Sequence, residues 1–170
     1  YKEEGIPKDA VIEYLMNIAN SNFEIWRKQN PNLDISKFEL SLNKMSVSGA
    51  LFDMVKMLDV SKNVISRLTA EEVYASAFEW AKEFDKELEE MLSNKEYALK
   101  VLGIERGNIK PRKDISKWSE LKKSISYMYD EKFETSKEEY EYQKITDKNE
   151  IEKIVKTYFE KYYDENDDKQ

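Results

Sequence analysis

The densest group of cations in the chain is Lys110-Pro111-Arg112-Lys113, flanked by Arg106 and Lys117. Lysine ammonium and arginine guanidinium groups donate to phosphate oxygens, and a stiff proline between them holds the donors at a fixed spacing. A helix opening just after the cluster adds partial positive charge from its free N–H groups. From Lys100 to Lys123 the basic residues Lys100, Arg106, Lys110, Arg112, Lys113, Lys117, Lys122 and Lys123 face only Glu105, Asp114 and Glu120. A second set, Lys56, Lys62, Asn63 and Arg67, combines cations with an amide. That mixture can hold a phosphate together with a ribose or a base edge. For both sets the alternative is an ordinary solvated surface.

Other chemistries are closed off. Among 170 residues there is no Cys and no His, which removes thiolate nucleophiles, Cys-based zinc sites and the usual neutral-pH general base. No Gly-rich phosphate loop is present among the four glycines. The carboxylate pairs Glu89-Glu90 and Glu138-Glu139 are adjacent on helical sequence, so they diverge and form no acid–base dyad or cation site. No catalytic constellation, bound cofactor or metal site is therefore expected. With 35 acidic and 28 basic residues the net charge is −7, so any nucleic-acid binding must rest on a local basic surface. No apolar run reaches membrane-spanning length, and the expectation is a soluble cytoplasmic piece with no membrane partner. The opening at Tyr1 and the polar run Asp164 to Gln170 read as cuts in a longer protein.

The elements that position these residues read as helices, and the fold class is all-α. Pro7 suits a helix start, followed by Ala10, Val11, Tyr14, Leu15 and Ile18 at helical spacing. Asn20-Ser21-Asn22 caps a short helix over residues 23–29, which Pro31 ends. Phe38, Leu40 and Leu42 alternate with polar residues, predicting a brief extended segment, and Gly49 marks a turn. Asp53 opens a short helix and Ser61 caps another over residues 62–68. Thr69-Ala70-Glu71-Glu72 is a capping-box pattern that opens the longest helix. Its apolar stripe is Val73, Ala77, Trp80, Ala81, Phe84, Leu88 and Met91. After a recap at Ser93-Asn94 and a stop at Gly103, a loop over residues 107–113 leads to a helix pair. Its buried face is Ile115, Trp118, Leu121, Ile125, Met128 and Tyr129. Thr135 and Glu138 suggest a capped turn. The last helix, over residues 146–163, points Ile151, Ile154, Val155, Tyr158, Phe159 and Tyr162 inward. Trp80, Trp118, Tyr158 and Tyr162 are read as core packing rather than base-stacking platforms.

Three segments resemble the glutamyl-tRNA synthetases. Residues 1–15, YKEEGIPKDAVIEYL, are similar to the stretch that in that family directly follows the lysine-methionine-serine signature loop. The resemblance places that loop upstream of Tyr1. Lys44-Met45-Ser46-Val47-Ser48 looks like the same signature, but Val47 stands where its second lysine belongs, so it is read as coincidence. Residues 44–65 are similar to the family's Ala-x-Phe-Asp followed by a Lys-Leu pair, here Ala50-Leu51-Phe52-Asp53 and Lys56-Met57. Asp59-Val60-Ser61 departs from the family's Trp-Leu-Asn, while Lys62 and Asn63 lie where family members approach tRNA. Residues 112–129 resemble the opening of the anticodon-side bundle, and residues 158–170 its last lead-in.

The resemblance implies a stem-contact region over residues 1–68 and an anticodon-side helical bundle over residues 69–170, incomplete at its C-terminus. It implies ATP- and magnesium-dependent joining of glutamate to tRNA by an intact enzyme whose catalytic domain is absent here. This piece would be non-catalytic, with tRNA and its own catalytic domain as partners. Lys56, Lys62, Asn63 and Arg67 would face the inner stem. Arg106, Lys110, Arg112, Lys113 and Lys117 would meet phosphates farther along, and the acidic C-terminal third would face away. The rival reading is a helical protein–protein interaction domain, marked by an exposed apolar patch instead of a basic one.

Overall fold

Pro7, with φ −58°, leads into α1 (Lys8–Ala19), because its fixed backbone angle already matches a helix start. The computed structural model describes residues 1–45, 51–133 and 147–164. Every regular element among them is helical, as the spacing predicts, and no described helix is long and apolar enough to cross a membrane. The chain divides into two compact units, Tyr1–Phe133 and Glu134–Gln170. Gly49, Thr135, the pair Glu138-Glu139 and Ser46 to Ser48 lie outside the described residues.

In the first unit α1 packs on α3 (Met54–Arg67) through Ala10 and Tyr14 against Met57 and Val64. Leu15, expected on the α1 stripe, is half exposed. α2 (Phe23–Gln29) has the bounds its caps predict. The extended segment expected at Phe38 to Leu42 is instead two 3-10 turns, Ile35–Lys37 and Leu42–Lys44, with one antiparallel bridge from Asn20 to Met45. No described strand lies beside it to pair with. Asn20 takes over, its amide donating to the Ser41 carbonyl at 2.9 Å.

α3 is one helix where the capping residues predict two. Asp53 caps it, accepting from the Lys56 N–H at 3.1 Å. Ser61, expected to be a cap, is fully buried mid-helix and donates its hydroxyl to the Ser116 carbonyl at 2.5 Å. A serine that seals a polar atom into a contact 55 residues away leaves the same sequence signal as one that ends a helix.

The capping box forms as its sequence predicts: Thr69 accepts from the Glu72 N–H at 3.2 Å and Glu72 accepts from the Thr69 N–H at 2.8 Å. It opens α4 (Ala70–Phe84), which stops at Asp85. Asp85 is extended, φ −143°, and caps α5 (Lys86–Met91) by accepting from the Leu88 N–H at 3.0 Å. The apolar stripe runs across this break, with Val73, Ala77, Ala81, Leu88 and Met91 all buried. Trp80 is half-buried, its indole N–H donating to the Lys2 carbonyl at 2.9 Å. α6 (Lys95–Gly103) follows its Asn94 cap.

The helix pair expected next is far less regular. Only the five residues of α7 (Leu121–Ile125) are α-helical, between 3-10 turns Trp118–Glu120 and Ser126–Met128. Its apolar face still holds, since Ile115, Trp118, Leu121 and Ile125 join the core around α4. The Glu120 carboxylate winds the turn by accepting from the Ser116 N–H at 2.7 Å. Gly5, at φ +81°, offers its carbonyl to the Trp118 N–H at 2.9 Å. A Cβ on Gly5 would sit 2.9 Å from that nitrogen, so this crossing needs glycine.

In the second unit, α8 (Lys148–Lys161) is capped by Asp147, which accepts from the Asn149 N–H at 2.9 Å. Its spacing predicts a stripe that points inward. Instead Ile154, Val155, Tyr158, Phe159 and Tyr162 are all exposed, and no residue of the helix is buried. Among the described residues of this unit no second helix faces it, so an amphipathic pattern exists without the surface that would bury it.

Candidate nucleic-acid interface

Helical periodicity puts Lys56, Asp59, Val60, Asn63, Ser66 and Arg67 on one face of α3, at steps of three and four residues. That face is one wall of a cleft of about 370 Å3. Glu13 and Asn17 of α1 and Glu24, Arg27 and Lys28 of α2 form another wall. Pro111 and Lys113 close the third side. The two basic sets, 50 residues apart in sequence, therefore meet: the Lys113 ammonium donates to Asn63 Oδ1 at 2.6 Å. Asn63 is aimed by its own amide nitrogen, which donates to the Asp59 carbonyl at 2.8 Å. Five cations, Arg27, Lys28, Lys56, Arg67 and Lys113, line the cleft against the carboxylates Glu13, Glu24 and Asp59, so its balance is positive in a protein of charge −7.

The eight cations among the nine expected residues divide by what they already touch. Lys113 bonds a neutral amide oxygen, while Lys110 is exposed and Lys62 half-exposed, each without an ion-pair partner among the described residues. Lys62 sits one residue before Asn63, around the helix from the cleft face. Lys56 lies 3.5 Å from Glu24, which also holds Lys28 at 2.8 Å. The Lys28 hydrogen bond first, then its charge and that of Lys56, hold the Glu24 carboxyl below its ordinary value. Arg67 binds Glu13 at 2.6 Å, and Arg112 binds Asp114 at 2.7 Å. Lys117 pairs with Glu4, whose pKa is lowered by that hydrogen bond.

Arg106 stands apart from the cleft. Its Nη1 donates to the Ile65 carbonyl at 2.8 Å and the Leu68 carbonyl at 3.3 Å, and its Nε to Leu102 at 3.0 Å. It thus ties the C-terminal ends of α3 and α6 together. Burial pushes its pKa down, with Asp114 opposing.

Sequence reasoning missed Arg27 and Glu13. Glu13, buried in α1, offers one oxygen to Arg27 at 2.9 Å and to Arg67 at 2.6 Å. Arg27 also donates to the carbonyls of Asn30, Pro31 and Leu33 and packs its guanidinium 4.9 Å from the Trp26 ring centre. One signal was available: a glutamate beside Tyr14 on the buried face of α1 needs a cation, though its spacing does not say which. Among the described residues no three carboxylates converge on a cation site.

No protein-family model matches the chain, and no solved structure matches it. It is 45% identical over 171 residues to the glutamate–tRNA ligase of Clostridium perfringens, covering 99% of this chain and 31% of that protein. The glutamate–tRNA ligase of Acetivibrio thermocellus is 47% identical over 169 residues, 99% of this chain and 30% of its own length. That of Sorangium cellulosum is 49% identical over 135 residues, 79% of this chain and 24% of its own. The chain thus spans about three tenths of the length of the first relatives it matches. Along nearly its whole length the chain is thus similar to a part of the glutamate–tRNA ligases.

Proposed function

We propose that this chain is the tRNA-binding part of a glutamate–tRNA ligase. It orients tRNA while a catalytic domain elsewhere in the longer protein joins glutamate to the acceptor end using ATP and magnesium. The observation that carries this reading is the 45–49% identity to proteins named glutamate–tRNA ligase. The cleft joining Asn63 to Lys113 supports it, since it concentrates positive charge on an acidic protein. Binding energy gathered at such a remote surface positions the reacting end. In this reading residues 1–68 meet the inner stem and residues 69–170 belong to the anticodon side. Lys56, Lys62, Asn63, Arg67, Lys110, Arg112, Lys113 and Lys117 are the contact set, and Arg106 shapes the surface from behind.

Steady-state kinetics of the full-length ligase test this. Charge reversal at Lys110, Arg112 and Lys113 is expected to raise KM for tRNA while leaving KM for ATP and glutamate unchanged. An unchanged KM for tRNA contradicts it. A second reading, a helical protein–protein interaction domain, draws on the exposed apolar stripe of α8. It predicts no tRNA binding at low salt.

A further inference from the structure

Glu13 is an unexpected residue in the wall of a cationic cleft. Its side chain is buried, and a single oxygen accepts from Arg67 Nη2 at 2.6 Å and lies 2.9 Å from Arg27 Nη2 as an ion pair. Two guanidiniums share one carboxylate, so the trio keeps a net positive charge where little water reaches. Burial pushes the Arg27 pKa down, against the opposing pull of Glu13, and Arg67 pushes it the same way as burial. A poorly hydrated excess charge of this kind is costly, and an anion entering the cleft relieves it.

The two arginines are not equally free to meet that anion. Arg27 is committed to three carbonyls, and its Nε is buried. Arg67 uses only Nη2, on Glu13, which leaves Nε and Nη1 without an acceptor among the described residues. Lys113 reaches the same cleft from its third side, fixed by Asn63 one turn before Arg67 on α3. A guanidinium locked by a buried carboxylate presents its remaining donors in a set direction, the geometry a phosphodiester oxygen pair accepts.

We propose that this cleft holds one RNA phosphate between Arg67 and Lys113, and that Glu13 is the positioning residue that aims Arg67 at it. The inference rests on the tRNA-binding reading above. It carries a sign opposite to simple electrostatics. Removing a negative charge beside a phosphate should tighten binding, whereas removing the group that orients the arginine weakens it.

Glu24 supplies the control, because it lines the same cleft but is half exposed and pairs only with lysines. In the full-length ligase, Glu13→Gln is expected to raise KM for tRNA on the order of 10-fold, the effect of one oriented, charge-assisted hydrogen bond. Glu24→Gln, which removes a carboxylate from the cleft without releasing either arginine, lowers KM for tRNA, and the effect of both variants falls on KM for tRNA rather than on KM for ATP. Arg67→Lys, which keeps the charge and loses the fork, raises KM for tRNA as Glu13→Gln does and covers the case in which that variant does not fold. A fall in KM with Glu13→Gln, matching Glu24→Gln, or a wild-type KM with Arg67→Lys, overturns the assignment. If the Glu13 and Arg67 variants are silent while reversal at Lys62 and Lys110 raises KM, only the assignment falls. If those reversals are silent too, the tRNA reading falls with it.

Discussion

Lys113 and Lys117 stand four residues apart in the same basic stretch and meet opposite fates. The Lys113 ammonium bonds the neutral oxygen of Asn63 and keeps its charge uncompensated, while Lys117 is paired with Glu4. The contrast extends to the whole expected set. Lys62, Lys110 and Lys113 have no carboxylate partner among the described residues, whereas Lys56, Arg67, Arg112 and Lys117 each have one. Arg106 is occupied by carbonyls. A cation neutralised one-to-one inside the protein must lose that partner before it can attract a phosphate fully, whereas Arg67 shares its carboxylate with Arg27 and keeps donors free, so equal residues in a basic run are unequal in function.

The largest effect that would sharpen this division is expected from Lys62→Glu, Lys110→Glu and Lys113→Glu together. Affinity for tRNA at low salt should fall on the order of 100-fold, with the melting temperature close to wild type. Arg106→Ala should do the reverse. It removes a half-buried guanidinium from three carbonyls and is expected to cost about 2 kcal/mol of stability by denaturant titration, with tRNA affinity retained below the melting range. A stable Arg106→Ala protein that no longer binds tRNA would break the comparison. Lys117→Gln should leave the midpoint of denaturant unfolding close to wild type, because its Glu4 partner is largely exposed.

The smallest effect concerns pH. Because Glu24 titrates below its ordinary value of 4.5, its pairs with Lys28 and Lys56 stabilise the fold fully above that pH. They are lost as the pH falls through the depressed value. Acid titration of stability should therefore be slightly shallower in Glu24→Gln than in wild type over that window. An identical profile would mean that these pairs contribute nothing to the fold.

Much of the fold is readable from local patterns. Capping at Thr69 and Asn94 and the stripe from Val73 to Met91 depend on residues within a turn or two of each other, and they form as expected. Where the deciding partner is distant, the pattern misleads. Ser61 is buried against Ser116 instead of ending a helix, and Asp85 breaks a stripe that continues unbroken in sequence. α8 shows the limit most clearly beside α4. Both carry amphipathic spacing, yet α4 buries Val73, Ala77 and Ala81 while Tyr158 and Phe159 of α8 are exposed. Periodicity says which face is apolar and not whether anything covers it. The same holds for the cleft: its cations are visible one by one, but Glu13 meets Arg67 across 54 residues and Asn63 meets Lys113 across 50.

The most direct test of the central claim is the salt dependence of tRNA binding, measured for the wild type and for the Lys62, Lys110 and Lys113 reversal. The wild type should show a steep slope of log affinity against log salt. In the variant that slope should be shallower by about one for each phosphate that is no longer neutralised, roughly three in all. Equal slopes in the two proteins would contradict the claim and place the RNA-binding charge elsewhere.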